Sequence, residues 1–174
     1  MKLSHALLAL AAALPLAAFQ EAVDPPPFSL TFPQGWNASV SNGLFQVNEP
    51  GTSANCNSYS TRMPTLAGQS QAELNRMLTD PWAVADWASV TSADASKMQL
   101  VSTTVRPIGA YQLRTAVVVF RPGAIPGQTV EVHAHIGISL KAGYAFNVGC
   151  YALPQHFPAA RARMDAAVYS MRLG

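Results

Sequence analysis

The sequence predicts an α+β fold, in which a central antiparallel sheet of about six strands is flanked by helices. Three observations support this fold class. The second half of the chain contains several runs of alternating apolar and polar residues joined by short turns. Two short helices with recognisable start signals precede these runs, and one long amphipathic helix closes the chain. We see no internal repeat and no linker, so residues 28–174 are expected to form a single domain.

The first twenty residues have the pattern of a secretory signal peptide. Lys2 lies in a short polar segment, and the apolar run over residues 7–19 ends in small residues. This run is shorter than the roughly 20 residues that cross a bilayer, so we expect cleavage and no stable membrane anchor. Residues 21–27 then form a stiff, proline-rich leader. The mature protein is therefore expected in the periplasm or outside the cell.

The first half of the mature chain contains three predicted strands. Apolar and polar residues alternate over residues 28–32, which predicts a half-buried strand before the turn at residues 33–35. A second strand is predicted at residues 44–48. The polar segment that follows predicts a third strand around residues 57–63.

Two short helices follow this segment. Ser70 and Glu73 fit a capping box, which predicts a helix start at this point. Thr79 or Asp80 is expected to cap a second helix that extends to residue 90, with Pro81 at its first position. This second helix carries Trp82 and Trp87. Paired tryptophans can line a ligand groove, but they more often cover a sheet.

The second half of the chain is predicted to be a meander of four strands. These strands span residues 98–105, 111–120, 130–140 and 144–151. A loop rich in proline and glycine, residues 121–127, joins the second of them to the third. The helix from Pro154 onward has one apolar stripe that is expected to lie on the sheet. That stripe consists of Phe157, Ala160, Met164, Ala167, Val168 and Met171.

Two cysteines, Cys56 and Cys150, remain in the exported chain. An even number of cysteines in such a chain indicates a disulfide, and this bridge would close a loop of roughly 95 residues. Two free buried thiols or a redox pair are the alternatives. The wide spacing is unlike a CxxC redox centre, so a structural disulfide is expected.

The charge of the chain argues against nucleic acid as a partner. It has 11 Lys and Arg against 9 Asp and Glu, and the basic residues are scattered. Removal of Lys2 with the signal would lower the formal charge from +2 to +1. A protein this close to neutral has no long-range field that would attract phosphates.

The stretch EVHAHIG over residues 131–137 is the strongest candidate for chemistry. In a strand, Glu131, His133 and His135 leave the same face, with successive positions about 6.6 Å apart. Two imidazoles at this spacing can converge on zinc or copper, with Glu131 as an oxygen ligand. The alternative is a solvated or helix-covered polar face. The clean alternation of the strand favours this alternative, and we expect a wet or loosely covered face.

The order of the elements resembles the PsbP-like α/β/α sandwich, which also includes the Mog-type Ran-binding proteins. FSLTFPQGW, residues 28–36, is similar to the opening Phe-x-hydrophobic-x-x-Pro-x-Gly-Trp of that family. The closing helix, ending at residues 169–173, is similar to the C-terminal end of the family pattern. The resemblance implies a mostly non-enzymatic protein without shared catalytic residues. The pair Cys56 and Cys150 lies outside the family pattern and marks a subgroup.

These features predict a non-catalytic binding or accessory protein of the cell envelope, without a cofactor. Its partner would be an envelope protein bound near Trp82 and Trp87 or at the loop of residues 121–127. No Gly-x-Ser-x-Gly elbow and no phosphate-binding loop is present in the sequence, so an enzyme is less expected. The alternative hypothesis is a periplasmic metal-binding protein or metal-dependent hydrolase that uses Glu131, His133 and His135.

Overall fold

The computed structural model describes residues 28–41 and 44–174, and the predicted signal peptide and leader lie outside these residues. The described residues form the following strands. They are β1 (Phe28–Ser29), β2 (Asn37–Ser41), β3 (Leu44–Asn48), β4 (Asn55–Arg62), β5 (Met98–Ile108), β6 (Tyr111–Phe120), β7 (Val132–Lys141), β8 (Tyr144–Ala152) and β9 (Arg172–Leu173).

Seven of these strands form one antiparallel sheet in the order β2-β3-β4-β8-β7-β6-β5. The predicted meander is confirmed, because β5, β6, β7 and β8 pair consecutively. Strand β8 then pairs with β4, which joins the first half of the chain to the meander. The strands β1 and β9 form a separate two-stranded sheet.

Helices cover the sheet on both faces. The helices are α1 (Gln71–Thr79), α2 (Val84–Thr91) and α3 (Phe157–Tyr169), with short 3-10 turns at Pro64–Leu66 and Ala95–Lys97. On one face α3 packs against β7 and β8, whereas on the other face α1 packs against β6 and β7, and α2 against β5. The predicted α+β sandwich of helices around an antiparallel sheet is therefore confirmed.

Each face of the sheet has its own apolar core. The core under α3 includes Phe146, Val148 and the predicted helix stripe, whose six residues are all buried. The core under α1 and α2 includes Leu74, Leu78 and Trp87. Alternate side chains of β7 point to the two faces of the sheet, so β7 contacts the apolar cores on both faces.

The opening strand is shorter than predicted and lies elsewhere. The prediction placed a strand over residues 28–32, but only Phe28 and Ser29 are in strand conformation, and they pair with β9. Thr31 instead contacts the end of α3: its N–H donates to Ser170 Oγ at 2.7 Å, and Ser170 Oγ donates to its carbonyl at 3.1 Å. The following residues contribute β2, which the sequence did not predict.

The two other corrections concern helix boundaries. The second helix was predicted from Thr79, but Thr79 belongs to α1, and α2 begins at Val84. Asp80 precedes Pro81, which disfavours helical conformation, and its ψ of 146° is extended. The closing helix ends at Tyr169 rather than near Leu173, because residues 172–173 pair with β1. The capping box of Ser70 and Glu73 is confirmed.

No helix in residues 28–41 and 44–174 combines the length and the apolar character required to cross a membrane.

Candidate functional site

The histidine face of β7 is covered by helix α3. A wet or loosely covered face was expected; the face is closed at His135 and partly open at Glu131 and His133. His135 is 1% exposed and pairs across the sheet with Val117 on β6 and Cys150 on β8. The ring of Tyr169 contacts the imidazole edge to face, with centroids 5.2 Å apart. His133, two residues earlier, lies beside Phe157 at the start of α3. The alternation was predicted correctly, but sequence could not show which helix packs on that face.

His135 faces a shared carboxylate on α3. Its Nδ1 lies 2.7 Å from Oδ1 of Asp165, although the approach is not aligned as a hydrogen bond. Arg161 Nε also donates to this oxygen, at 2.6 Å. Burial lowers the pKa of His135, and Arg161 acts in the same direction, whereas Asp165 opposes the shift. The imidazole is therefore neutral near neutral pH.

This arrangement predicts that acid destabilises the fold through His135. Because its pKa is lower in the folded chain than in the unfolded chain, the unfolded chain binds more protons once the pH falls below about 6.5. The neutral form therefore contributes stability that is present above that pH and lost as the pH falls through the folded pKa. We expect the free energy of unfolding, measured with urea between about pH 7.5 and pH 5, to decrease with acidification.

The variant that tests this assignment is His135→Gln. We expect the glutamine at position 135 to flatten the pH dependence of the free energy of unfolding. An equal pH dependence in the wild type and His135→Gln would contradict this assignment.

Glu131 and His133 contact each other rather than converging with His135. His133 Nε2 lies 3.0 Å from Glu131 Oε1, and both side chains reach solvent. His135 contacts Asp165 instead. Among the described residues, no group of three or more His, Cys, Asp and Glu side chains has an arrangement that could hold a metal ion. Metal binding by the three predicted residues stays a prediction.

The remaining described histidine links two loops. His156 Nδ1 accepts a hydrogen bond from the backbone N–H of Ser53 at 3.0 Å and lies 2.8 Å from Ser53 Oγ. Ser53 Oγ also accepts from the N–H of Leu153. These bonds connect the β3–β4 loop to the turn before α3, and they give His156 a structural role.

The tryptophan pair lies mostly inside the protein. Trp87 is 1% exposed, and its ring meets that of Trp82 edge to face at 5.0 Å. Trp82 Nε1 donates to the carbonyl of Met77, and the guanidinium of Arg114 lies over its ring. Both rings therefore contribute to the packing of α1 and α2. An interaction role for Trp82 and Trp87 stays a prediction.

The loop of residues 121–127 is closed by a buried side chain. Gln128 is 4% exposed, and its Nε2 donates to the carbonyls of Phe120 and Val130. Its Oε1 accepts from the N–H of Ile125. The tip of the loop, including Pro122 and Pro126, is exposed. The hydrogen bonds of Gln128 thus hold the loop in one conformation. Its tip lies next to the start of β5, where Lys97 Nζ donates to the carbonyl of Gly123.

Strand β5 forms one edge of the sheet and is open on its outer side. Its neighbour is β6, and no strand in the described part of the chain pairs with its outer edge. Residues 101–104 are all exposed, and Val101 at the bulge is 56% exposed. Residues 98–105 carry no charged side chain. An open sheet edge of this kind is a surface to which an extended segment of another chain can pair.

Sequence reasoning missed a second surface, which we call the amide face. It lies on the sheet side opposite the disulfide and consists of Asn37, Gln46, Asn48, Asn55 and Asn57. Val47 and Cys56 point into the core under α3, so their strand neighbours point to the other face. The signal was present in the sequence as alternate polar residues around Cys56, in the stretch NCNSY.

The predicted disulfide is present. Cys56 and Cys150 are bonded, are fully buried and face each other across β4 and β8. No free cysteine occurs in the described residues. The bridge thus joins the first half of the chain to the last strand of the meander.

Comparisons with solved structures identify the class of fold. LpqN of Mycobacterium tuberculosis, involved in cell envelope biogenesis, matches with a TM-score of 0.51 and 9% identity over 87% of this chain and 86% of LpqN. The Ran-binding protein Mog1p of Saccharomyces cerevisiae matches with a TM-score of 0.49 and 7% identity, over 84% of this chain and 89% of Mog1p. Cyanobacterial PsbP of Synechocystis matches with a TM-score of 0.45 and 11% identity, over 89% of this chain and 97% of that protein.

The chain has the Mog1/PsbP-like α+β sandwich, with helices on both faces of its antiparallel sheet, and at 9% identity the match to LpqN shows the fold alone. A further match, from Bacteroides thetaiotaomicron, covers 84% of this chain but only 45% of that protein. No family model and no curated protein matches the sequence. The resemblance drawn from residues 28–36 and the closing helix is confirmed at the level of fold.

Proposed function

We propose that this protein is an exported, non-catalytic binding protein of the cell envelope that recognises an extended segment of a partner protein by strand addition to β5. The observation that carries the proposal is the open outer edge of β5, which has no charged side chain over residues 98–105. An exposed edge offers unpaired backbone donors and acceptors to another chain, and strand addition is a common mode of peptide recognition.

The available backbone groups follow from the hairpin geometry. Ile108 and Tyr111 pair across a two-residue loop, so Ile108 exchanges hydrogen bonds with β6. Bonding alternates along an antiparallel pair, so Thr104 also bonds inward, whereas Thr103 and Val105 direct their N–H groups outward. Pro107, which has no N–H, occupies the next outward position.

The features that would hinder another strand from pairing with this edge lie only near its two ends. A bulge interrupts the pairing between Leu100 and Ser102, and Pro107 and Arg106 follow near the hairpin. Natural sheets protect edges with bulges, prolines and charges. Between these devices residues 102–105 remain regular and uncharged, which fits an uncharged partner segment rich in β-branched residues.

The disulfide supports the location outside the cytoplasm. Structural disulfides form and persist in oxidising compartments, and the bridge between Cys56 and Cys150 is fully buried. The predicted signal peptide is consistent with this location. A partner in the envelope is therefore the class of protein that the β5 edge would meet.

The test uses Thr103→Pro against Thr103→Ala. The proline removes the outward donor while sparing the bonds to β6, and the alanine keeps the donor. We expect the wild type and Thr103→Ala to capture the same partner by crosslinking in the envelope, and Thr103→Pro to lose it about tenfold or more. Trp82→Ala should retain the partner.

Three results would contradict the proposal. They are capture of the partner by a folded Thr103→Pro variant, loss of the partner only in Trp82→Ala, and a β5-dependent homodimer with no other partner. Circular dichroism of each variant shows whether the fold is intact.

The second candidate is metal binding at the half-buried pair of Glu131 and His133. The contact of 3.0 Å between them places one nitrogen and one oxygen ligand together at the surface. This candidate predicts that calorimetry with zinc or copper shows uptake by the wild type and none by His133→Ala. A demetallated wild type that binds neither metal would exclude it.

A further inference from the structure

Four basic side chains lie at the end of the sheet where the β5–β6 and β7–β8 hairpins turn. We call this surface the basic end, and it consists of Arg62, Arg106, Lys141 and Arg172. Arg62 and Lys141 are the last residues of β4 and β7, and Arg106 comes just before the β5–β6 turn. The three arginines are exposed and Lys141 is half-buried, so all four charges can reach a partner.

Aromatic rings alternate with two of these cations along one row across the sheet. Arg62 on β4 pairs with Tyr144 on β8, and Tyr144 pairs with Lys141 on β7. Lys141 Nζ lies 5.2 Å from the centre of the ring of Tyr111 on β6. Directly paired residues point to the same face of a sheet, and both tyrosines pack against the core under α3. The row therefore presents cation, ring, cation and ring on the α3 face.

The other two cations lie on the same face. Arg106 pairs with Leu113, which belongs to the core under α3, and its guanidinium lies 4.7 Å from the ring centre of Tyr169. Arg172 lies in β9, which pairs with β1. The ring of Phe28 in β1 contacts an aromatic ring of β8 at 5.2 Å, close to the start of that strand. The basic end is therefore one continuous surface.

The charge of the basic end is not neutralised within the chain. The ion pairs in the described part of the chain involve other residues, and none of these four cations takes part in one. Glu73 of α1 lies on the opposite face of the sheet, where it accepts hydrogen bonds from Ser70. The chain is close to neutral as a whole, but this end is locally positive.

The loops beyond the row allow a flat surface to approach. The β5–β6 turn consists of Gly109 and Ala110, and the β7–β8 turn consists of Ala142 and Gly143. All four residues are small and uncharged. Long basic side chains can lie along such apolar surface and extend their charges past it. The cations can therefore contact a planar anionic surface that rests on the two turns.

The rings beside the cations favour a phospholipid surface over an acidic peptide. Tyrosine has an apolar body and a polar tip, and it is enriched where membrane meets water. Clusters of Lys and Arg are attracted to the phosphates of anionic lipids. An acidic peptide would require a carboxylate placed at each cation, and the half-buried rings of Tyr111 and Tyr144 would contribute little to it.

We propose that the basic end docks reversibly onto an anionic phospholipid bilayer. The four cations lie at the lipid phosphates, and the rings of Tyr111 and Tyr144 lie at the level of the headgroups. The contact uses the hairpin end of the sheet and not residues 102–105 of the β5 edge, so it is independent of the proposed strand addition.

The test is cosedimentation of the exported protein with lipid vesicles. We expect binding to vesicles of phosphatidylglycerol and phosphatidylcholine in equal parts, and binding weaker by about tenfold or more to pure phosphatidylcholine. Added NaCl should weaken the binding, because salt screens charges at the surface. Arg62→Gln combined with Lys141→Gln should weaken it about twentyfold, since each cation near an anionic surface contributes roughly fivefold.

The matched control is Arg121→Gln combined with Arg163→Gln. It removes the same net charge, but Arg121 follows β6 and Arg163 contacts Glu49 after β3, both toward the other end of the sheet. We expect the control to bind within about twofold of the wild type. Thr103→Pro should also bind vesicles as the wild type does, which separates lipid docking from strand addition.

A fluorescent label measures the orientation without altering the basic residues. A polarity-sensitive fluorophore on Ala110→Cys, at the β5–β6 turn, should show transfer into an apolar environment when the anionic vesicles are added. The same fluorophore on Gln155→Cys, an exposed position at the other end of the sheet, should show no change. This arm tests the proposal even if the variant of Arg62 and Lys141 does not fold.

Four results would overturn the proposal. They are no binding to the anionic vesicles, equal binding to pure phosphatidylcholine, equal losses in the two double variants, and a response of the label at position 155 but not at position 110. Tighter binding of poly-glutamate than of the vesicles, with the same dependence on Arg62 and Lys141, would assign the basic end to an acidic peptide instead.

Discussion

Replacement of Cys56 and Cys150 with alanine is expected to lower the free energy of unfolding by about 3 to 5 kcal/mol. The two residues are 94 positions apart, so the bridge closes most of the domain into one loop. Cross-linking restricts the unfolded chain more strongly as the loop lengthens. Both sulfurs are buried in the core between the sheet and α3, where replacement also removes apolar contacts.

Urea denaturation of the wild type and the double variant measures this difference. Reduction of the wild type should reproduce most of the loss, whereas the same reductant should leave the double variant unchanged. A double variant as stable as the oxidised wild type would show that the bridge has no role in stability. That result would also weaken the argument for an oxidising compartment.

Replacement of Arg114 with methionine is expected to cost about 2 to 4 kcal/mol of stability. Arg114 is 4% exposed, and its guanidinium donates to the carbonyls of Leu78 and Asp80, each at 2.5 Å. These carbonyls lie at the end of α1, where no helical donor is available. Methionine keeps the packing of the stem but leaves both acceptors unpaired.

The matched control is Arg106→Met. Arg106 is exposed on β5 and lies 4.7 Å from the ring of Tyr169, a contact worth about 0.5–1 kcal/mol at an exposed site. In thermal and urea unfolding, Arg114→Met should therefore lose roughly 1 kcal/mol or more of stability beyond the loss in Arg106→Met. If both variants lose the same small amount of stability, Arg114 does not stabilise the end of α1.

Local patterns were sufficient to predict most of the elements. The alternation of β7 and β8 and the capping box at Ser70 depend on residues within a few positions of each other, so the sequence displays them directly. The stripe of α3 is equally local. The Cys56–Cys150 bond was predictable because the chain has only two cysteines and therefore only one possible pairing.

The errors arise where contacts distant in sequence determine the outcome. Residues 28–32 alternate as a strand does, but the pairing of Phe28 with Leu173 diverts them from the main sheet. The role of Arg114 has no local signal in the sequence, because the carbonyl of Leu78 that it contacts lies 36 positions away. For His135, alternation indicated a polar face, and only the packing of α3 reveals the contact with Asp165.

The candidate binding surfaces were less predictable than the fold. The openness of the β5 edge depends on the strand order, which places β5 outermost although it lies in the middle of the chain. The amide face depends on the register of β2, β3 and β4, and β2 was not predicted at all. Neither can be deduced from spacing within one segment, because both require the assembled sheet.

Amide hydrogen exchange on the complex with the captured partner tests the central claim most directly. Binding by strand addition predicts that the outward N–H groups of Thr103 and Val105 become protected, while the inward N–H of Thr104, already bonded to β6, changes little. Protection confined to Trp82 and the loop of residues 121–127, with exchange at Thr103 and Val105 unchanged, would contradict the account.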